Sequence, residues 1–191
     1  MIDIRPAAAR MASLVSSVSE AQLELRTPCP DMRVGDLVDH VGTFAKAFTA
    51  IARKETRAGE TPPPATAANL EDGWRERIAS DLGLLAEAWR DSAAWEGETA
   101  AGGVPLTSAM AGLVALDELV VHGWDIAVST GKPYEPSTAD VEGAASFVTS
   151  FDPPRDGRLF GPIVPVAEGA APLDRLLGLT GRDPDWQPPT R

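Results

Sequence analysis

The chain contains two histidines, His40 and His122, and each lies on a stretch with the apolar spacing of an amphipathic helix. His122 stands four residues after Glu118 in Glu118-Leu119-Val120-Val121-His122. Side chains four apart on a helix are surface neighbours, so this carboxylate and imidazole can be aimed at one point and chelate one cation. His40, on another helix, could complete a facial set of two nitrogens and one oxygen. A divalent transition metal suits those donors, and three protein ligands leave a coordination position open to water or substrate. The residues alone also admit a plainer account, in which His40 caps or solvates a helix flank and Glu118 is an exposed carboxylate near His122. An isolated ExxxH is a weak pattern.

Other reactive side chains carry the same two readings. Asp125, three residues after His122, can hydrogen-bond a ring nitrogen or approach a metal through water, or it is a solvated helix carboxylate. Asp36, one turn before His40, shares that ambiguity. Cys29 would be a reactive thiol near a helix N-terminus, but a lone cysteine reads better as a small buried hydrophobe. The tryptophans Trp74, Trp89, Trp95, Trp124 and Trp186 read as core or pocket wall rather than as a ligand cage.

These side chains must be positioned by helices, and apolar spacing, caps and breakers place four of them. The first is expected over about 6–18, with Pro6 early and Ala9, Leu14 and Val18 facing inward. Thr27-Pro28-Cys29-Pro30 then interrupts any helix, because two prolines remove donors and restrict their predecessors. The second is expected over about 34–53, with a stripe of Leu37, Val41, Phe44 and Phe48 and His40 on its flank. Residues 55–68, including Pro62-Pro63-Pro64, have loop chemistry. So long a connection can cross a bundle and let the second and third helices run parallel. The third helix is expected over 70–90, with Asn69 as N-cap and Trp74, Ile78, Leu82, Leu85 and Trp89 buried. Residues 97–105 are rich in breakers. The fourth helix is expected over about 107–130, closed by Gly131 at C′ with Pro133 beyond. Its apolar side is Leu113, Leu116, Val120, Trp124 and Ala127, and Glu118, His122 and Asp125 share another face. Ser137 caps a fifth helix running through Phe151, with Val141, Ala145 and Val148 inward. A loop over 152–158, a short helix over 173–179 closed by Gly181, and a tail over 184–191 complete the chain.

Composition narrows the function. The 191 residues are enough for one domain with a decorated end and a substantial core. Formal charge is −11, from 17 basic and 28 acidic residues, and no basic stripe stands out, so nucleic acid is not an expected partner. The start lacks a charged segment followed by an apolar one, so no secretion signal is expected. The most apolar run, 104–121, is interrupted by Asp117 and Glu118 and reads as a bundle helix, not a membrane span. A cytoplasmic, soluble protein is the expectation. The single cysteine excludes an internal disulfide framework and a multi-thiolate zinc site. There is no GxxxxGK[ST], strand-bound GxGxxG or GxSxG, so phosphate-cradle, dinucleotide and serine-hydrolase readings lose their usual support.

Three blocks carry a family resemblance: Thr27-Pro28-Cys29-Pro30; Val34-Gly35-Asp36-Leu37-Val38-Asp39-His40-Val41-Gly42; and Asp117-Glu118-Leu119-Val120-Val121-His122-Gly123-Trp124-Asp125-Ile126-Ala127-Val128-Ser129-Thr130-Gly131. Together they resemble the metal-binding domain of mycothiol-dependent maleylpyruvate isomerases and related small actinobacterial proteins, within the wider DinB-like superfamily. The likeness covers roughly residues 1–131, with a similar tail around Phe160-Gly161-Pro162 and 173–186. It implies an all-α, DinB-like four-helix bundle of up-down-down-up course over 1–134, with a partly irregular C-terminal extension over 135–191 packed on it. It also implies a divalent metal, zinc first and nickel second, held by His40, Glu118 and His122. The implied cofactor is a low-molecular-weight thiol such as mycothiol, with an electrophilic small molecule as the partner substrate, in isomerisation or S-transfer. Related bundles often pair, which makes a homodimer an expectation. The chain departs from its relatives at Met32, where tryptophan is frequent, and no arginine set that would grip a dicarboxylate transfers by motif. The reading from a different class is a metal-stabilised binding or scaffold domain without catalysis, and a third is a plain helical structural protein.

Overall fold

A computed structural model describes residues 2–55, 63–150, 155, 157 and 159–189. The helices are α1 (Arg5–Ser16), α2 (Val34–Ala52), α3 (Trp74–Ala88), α4 (Ser108–Thr130), α5 (Thr138–Val148) and α6 (Pro172–Leu179). One antiparallel hairpin, β1 (Glu98–Ala101) with β2 (Val104–Thr107), precedes α4.

The first four helices form a ring in which α1 and α2 each pack on both α3 and α4. Hydrogen bonds between elements set their directions. The Arg75 guanidinium at the start of α3 donates to Val18 O just beyond α1, so α1 and α3 are antiparallel. Asp36 and Asp39, early in α2, accept the backbone N–H groups of Ala67 and Thr66 just before α3. At the far end the Trp89 indole donates to Phe48 O at 3.1 Å, so α2 and α3 run parallel. Lys54 Nζ, past the end of α2, donates to Ser108 Oγ at the start of α4, and Gln22 Nε2, past α1, donates to Thr130 O at the end of α4. The course is therefore up-down-down-up, as the long connection before α3 allows.

The apolar stripes close on one core. Met11 and Val15, Leu37 and Val41, Ile78 and Leu82, and Leu116 and Val120 belong to a single buried cluster, which continues through Val141 and Phe147 of α5, through Phe160 in the segment between α5 and α6, and through Leu176 of α6. No helix among the described residues is long and apolar enough to cross a membrane.

Several boundaries differ from expectation for local reasons. Ala9 is exposed, and Ala7, Ala8, Met11 and Val15 join the expected Leu14 on the inner face of α1. A run of alanines sets no phase of its own, so the larger side chains decide it. The start of α3 is Trp74, not residue 70. Gly73, at φ 76°, turns the chain immediately before it, and Asn69 spends its amide on the Asp39 carboxylate rather than capping. Residues 97–105 hold strands rather than a plain loop: Gly102 and Gly103, both at positive φ, make the two-residue connection that suits the twist of a hairpin. The fifth helix ends at Val148; Phe151 and most of 152–158 lie outside the described residues, as does much of the 55–68 connection. The Ser137 and Gly131 caps follow expectation, and Thr107, expected as the first helical residue, is the N-cap instead. Thr107 Oγ1 accepts Met110 N–H, Ser137 Oγ accepts Asp140 N–H, and Gly131 ends α4 in the left-handed region at φ 70°.

Candidate metal centre

His40 is set by its place beside the buried stripe of α2. Leu37, Val41, Phe44 and Phe48 are all buried, which turns the preceding position toward the groove between α2 and α4. The N-terminus of α2 is held by Asp36, whose carboxylate accepts the Arg33 and Ala67 backbone N–H groups. Asp36 thus serves as cap and loop anchor. Across the groove, Glu118 and His122 stack one turn apart on α4.

The three side chains converge on one carboxylate oxygen. His40 Nε2 lies 3.0 Å and His122 Nε2 3.1 Å from Glu118 Oε2. The two imidazoles meet edge to face, with centroids 5.0 Å apart and planes at 84°. One ligand atom from each residue lies within 4.8 Å of the other two, a spacing that a single divalent ion between them can satisfy. The donor chemistry, two neutral-capable nitrogens and one carboxylate oxygen, fits such an ion.

Behind His122 the support is buried and charged. Asp125 Oδ2 accepts the His122 Nδ1 proton at 2.9 Å, and Arg182 Nη2 donates to the same oxygen at 3.1 Å. Arg182 also donates through Nη1 to Thr180 O at 2.9 Å, which locks the guanidinium. With Nδ1–H committed to Asp125, the Nε2 lone pair of neutral His122 faces the point shared with His40 and Glu118. Side-chain exposure falls from 32% at His40 to 21% at Glu118, 12% at His122 and 0% at Asp125. The cluster therefore opens on the α2 side and is closed behind α4.

Electrostatics follow the contacts. Burial alone would raise Glu118, but hydrogen bonds from His122 and His40 and their charge hold its carboxyl well below the usual carboxylate range. Burial likewise opposes a charged His122, yet hydrogen bonds to Asp125 and Glu118 and their negative charge push it up to about 9. For Asp125, burial is outweighed by the Arg182 charge and the His122 hydrogen bond, and the carboxyl is held low. Asp117 behaves in the opposite way. Buried first of all, and next to the Glu118 charge, it is pushed up to about 8, and its Oδ1 has no hydrogen-bond partner among the described residues.

The cluster faces a cleft of about 580 Å³ whose other walls include Cys29, Met32, Asp117, Phe160 and Arg182. Thr27 builds the proline segment on this wall: its hydroxyl lies 2.9 Å from Cys29 O and 2.8 Å from Met32 O, and it accepts Cys29 N–H. Burial raises the Cys29 thiol above its ordinary value, so it faces the cleft as a neutral thiol, not an activated thiolate. None of the tryptophans lines this cleft. Trp74, Trp89 and Trp124 are core, Trp95 meets Trp89 edge to face with centroids 4.9 Å apart, and Trp186 lines a separate surface pocket beside Pro28.

Sequence reasoning brought forward His40, Glu118, His122 and Asp125, and the fold gathers all four. It passed over Arg182, for which no local signal exists, and Asp117, whose signal was its place inside the most apolar run of the chain. No curated protein and no solved structure matches the chain. A family model described as mycothiol maleylpyruvate isomerase N-terminal domain matches residues 4–127, a segment that carries the three clustered donors and Asp125. The chain belongs to that family.

Proposed function

We propose that this protein is a metal- and thiol-dependent isomerase or S-transferase of the mycothiol type, with His40, Glu118 and His122 as the ligands of a divalent ion. Zinc is the first choice and nickel the second, because both accept imidazole with carboxylate. The observation that carries the reading is the convergence of three donors from two helices on a point at the floor of an open cleft. It is joined by membership of a family whose name refers to mycothiol.

A bound divalent cation supplies Lewis acidity that lets a thiol lose its proton at neutral pH. The side chains of this chain do the rest. His40, Glu118 and His122 fix the position at which sulfur would sit, and Asp125, clamped by Arg182, keeps the His122 ring from turning. The cleft admits thiol and electrophile together from the α2 side. A thiol held there would supply a nucleophile for the electrophilic carbon of a conjugated carbonyl compound, with the alkene electron pair passing to the carbonyl oxygen. If the new single bond rotates and the carbonyl re-forms with loss of sulfur, the outcome is isomerisation. If the neighbouring carbon takes a proton instead, the outcome is transfer.

The test is metal content of the purified protein against His122→Ala, followed by turnover of electrophiles with mycothiol. The expected result is about one divalent ion per chain that is lost in the variant, and product formation that requires both metal and thiol. Equal metal content in the two proteins overturns the site. Metal without turnover for any thiol and electrophile pair favours the non-catalytic, metal-stabilised binding domain.

A further inference from the structure

A second cavity of about 500 Å³ adjoins the metal cluster under the β1–β2 hairpin. Its walls include Phe48 of α2, Leu106 of β2, and Met110 and Val114 of α4; Glu118 closes one end and is its only charged lining side chain among the described residues. Met110, Val114, Glu118 and His122 follow one another at intervals of four along α4, so they form one ridge leading from the apolar cavity to the clustered donors. From Val114 to Glu118 the rise is about 6 Å, and from Met110 about 12 Å. A molecule reacting at the cluster and extended along α4 would place its far end in this cavity. Leu159 lines both spaces.

Two further features indicate what the cavity takes. Four large hydrophobic side chains are strongly exposed among the described residues, and two of them, Val104 at 64% and Leu159 at 46%, stand at this one cavity. The described lining of the cavity carries no cation, so among these residues a second carboxylate on the substrate would meet only Glu118, at an electrostatic penalty. We infer that this cavity is the subsite for an uncharged hydrocarbon part, an alkyl chain or aromatic ring, of the electrophilic substrate, and that it selects against dicarboxylates. The inference rests on the proposed metal-dependent function and adds the class of substrate to it.

The test uses two probes on the full-length, metal-loaded protein. N-phenyl-1-naphthylamine, a neutral fluorophore, reports the cavity, and straight-chain alkyl hydroxamates report cavity and metal together as competitors. The expected result is saturable fluorophore binding, weakened at least tenfold by Val114→Glu. Hydroxamate competition should strengthen by about fourfold for each added methylene until the cavity is filled. Val104→Asp, at an exposed position, should weaken both series without risk to the core. Fluorophore binding unchanged in both variants, or hydroxamates that compete with no dependence on chain length, overturns the subsite while leaving the metal site standing. Hydroxamate affinity that is the same after metal removal shows that the ligand's head group is not held at the cluster, and overturns the metal reading and the substrate assignment together. Fluorophore binding that vanishes as the protein dimerises assigns the cavity to a second copy of the chain and overturns the inference.

Discussion

Two aspartates eight positions apart on α4 show how neighbours decide the charge of a buried carboxyl. Asp125 is fully enclosed yet stays ionised, because Arg182 and His122 both donate to it. Asp117 is enclosed with one oxygen unpartnered, and burial with the adjacent Glu118 charge pushes it up to about 8. A carboxyl whose folded value lies above its unfolded one stabilises the fold at low pH and loses that contribution as pH rises through the folded value. Asp117 should therefore cause stability to fall between about pH 4 and pH 8. Asp117→Asn should flatten that slope in denaturation midpoints taken across the range, and an unchanged slope would show that Asp117 is not the cause. His122 gives a second pH prediction. Its value is raised to about 9 against the opposing effect of burial, so the metal-free fold loses this stabilising contribution as pH rises from about 6.5 through 9. A cation must displace that proton. Metal affinity should then rise by up to about tenfold per pH unit below 9, and a titration flat with pH would argue against Nε2 of His122 as a ligand. Asp125→Asn removes the anionic acceptor that orients the ring and should weaken metal binding by about 10–100-fold, measured by competition with a chelator.

At the scale of elements, the legible features were those whose cause lies within a turn or two of chain. The α2 stripe, the Ser137 cap and the Gly131 terminus depend on local spacing and local hydrogen bonds, and they stand where the residues indicated. Thr107→Ala should lower stability by about 1 kcal/mol, or about 2–4 °C in melting temperature for a chain of this size. Metal content should stay unchanged, because the cap lies well away from Glu118 on α4. The hairpin was also encoded locally, in Gly102-Gly103, but its strands are only four residues each and too short to display alternation. The early start expected for α3 failed because Asn69 was engaged by Asp39 from α2. That partner is 30 residues away, beyond the reach of any capping rule.

For the molecule as a whole, the C-terminal extension takes part in the candidate centre. Arg182 follows α6, lies 57 residues from Asp125, and falls outside the segment of 4–127 that defines the family. Replacing it leaves Asp125 buried with only His122 as partner. Arg182→Met should destabilise the fold by about 3 kcal/mol and weaken metal binding, and Arg182→Lys should restore part of both; denaturant titration and chelator competition read the two effects separately. Full metal affinity in the methionine variant would show that the clamp is structural alone.

The residue order by itself determined four amphipathic helices, the glycine terminus of α4, and a carboxylate and an imidazole stacked one turn apart on α4, because helical geometry fixes relations within a single element. Tertiary structure alone decided that His40 faces that pair across the groove, that Arg182 stands behind Asp125, that Asp117 is buried with one oxygen unpartnered among the described residues, and that an apolar cavity opens beside Glu118. Each of these depends on how separate elements pack, through connections whose length permits an arrangement without specifying it.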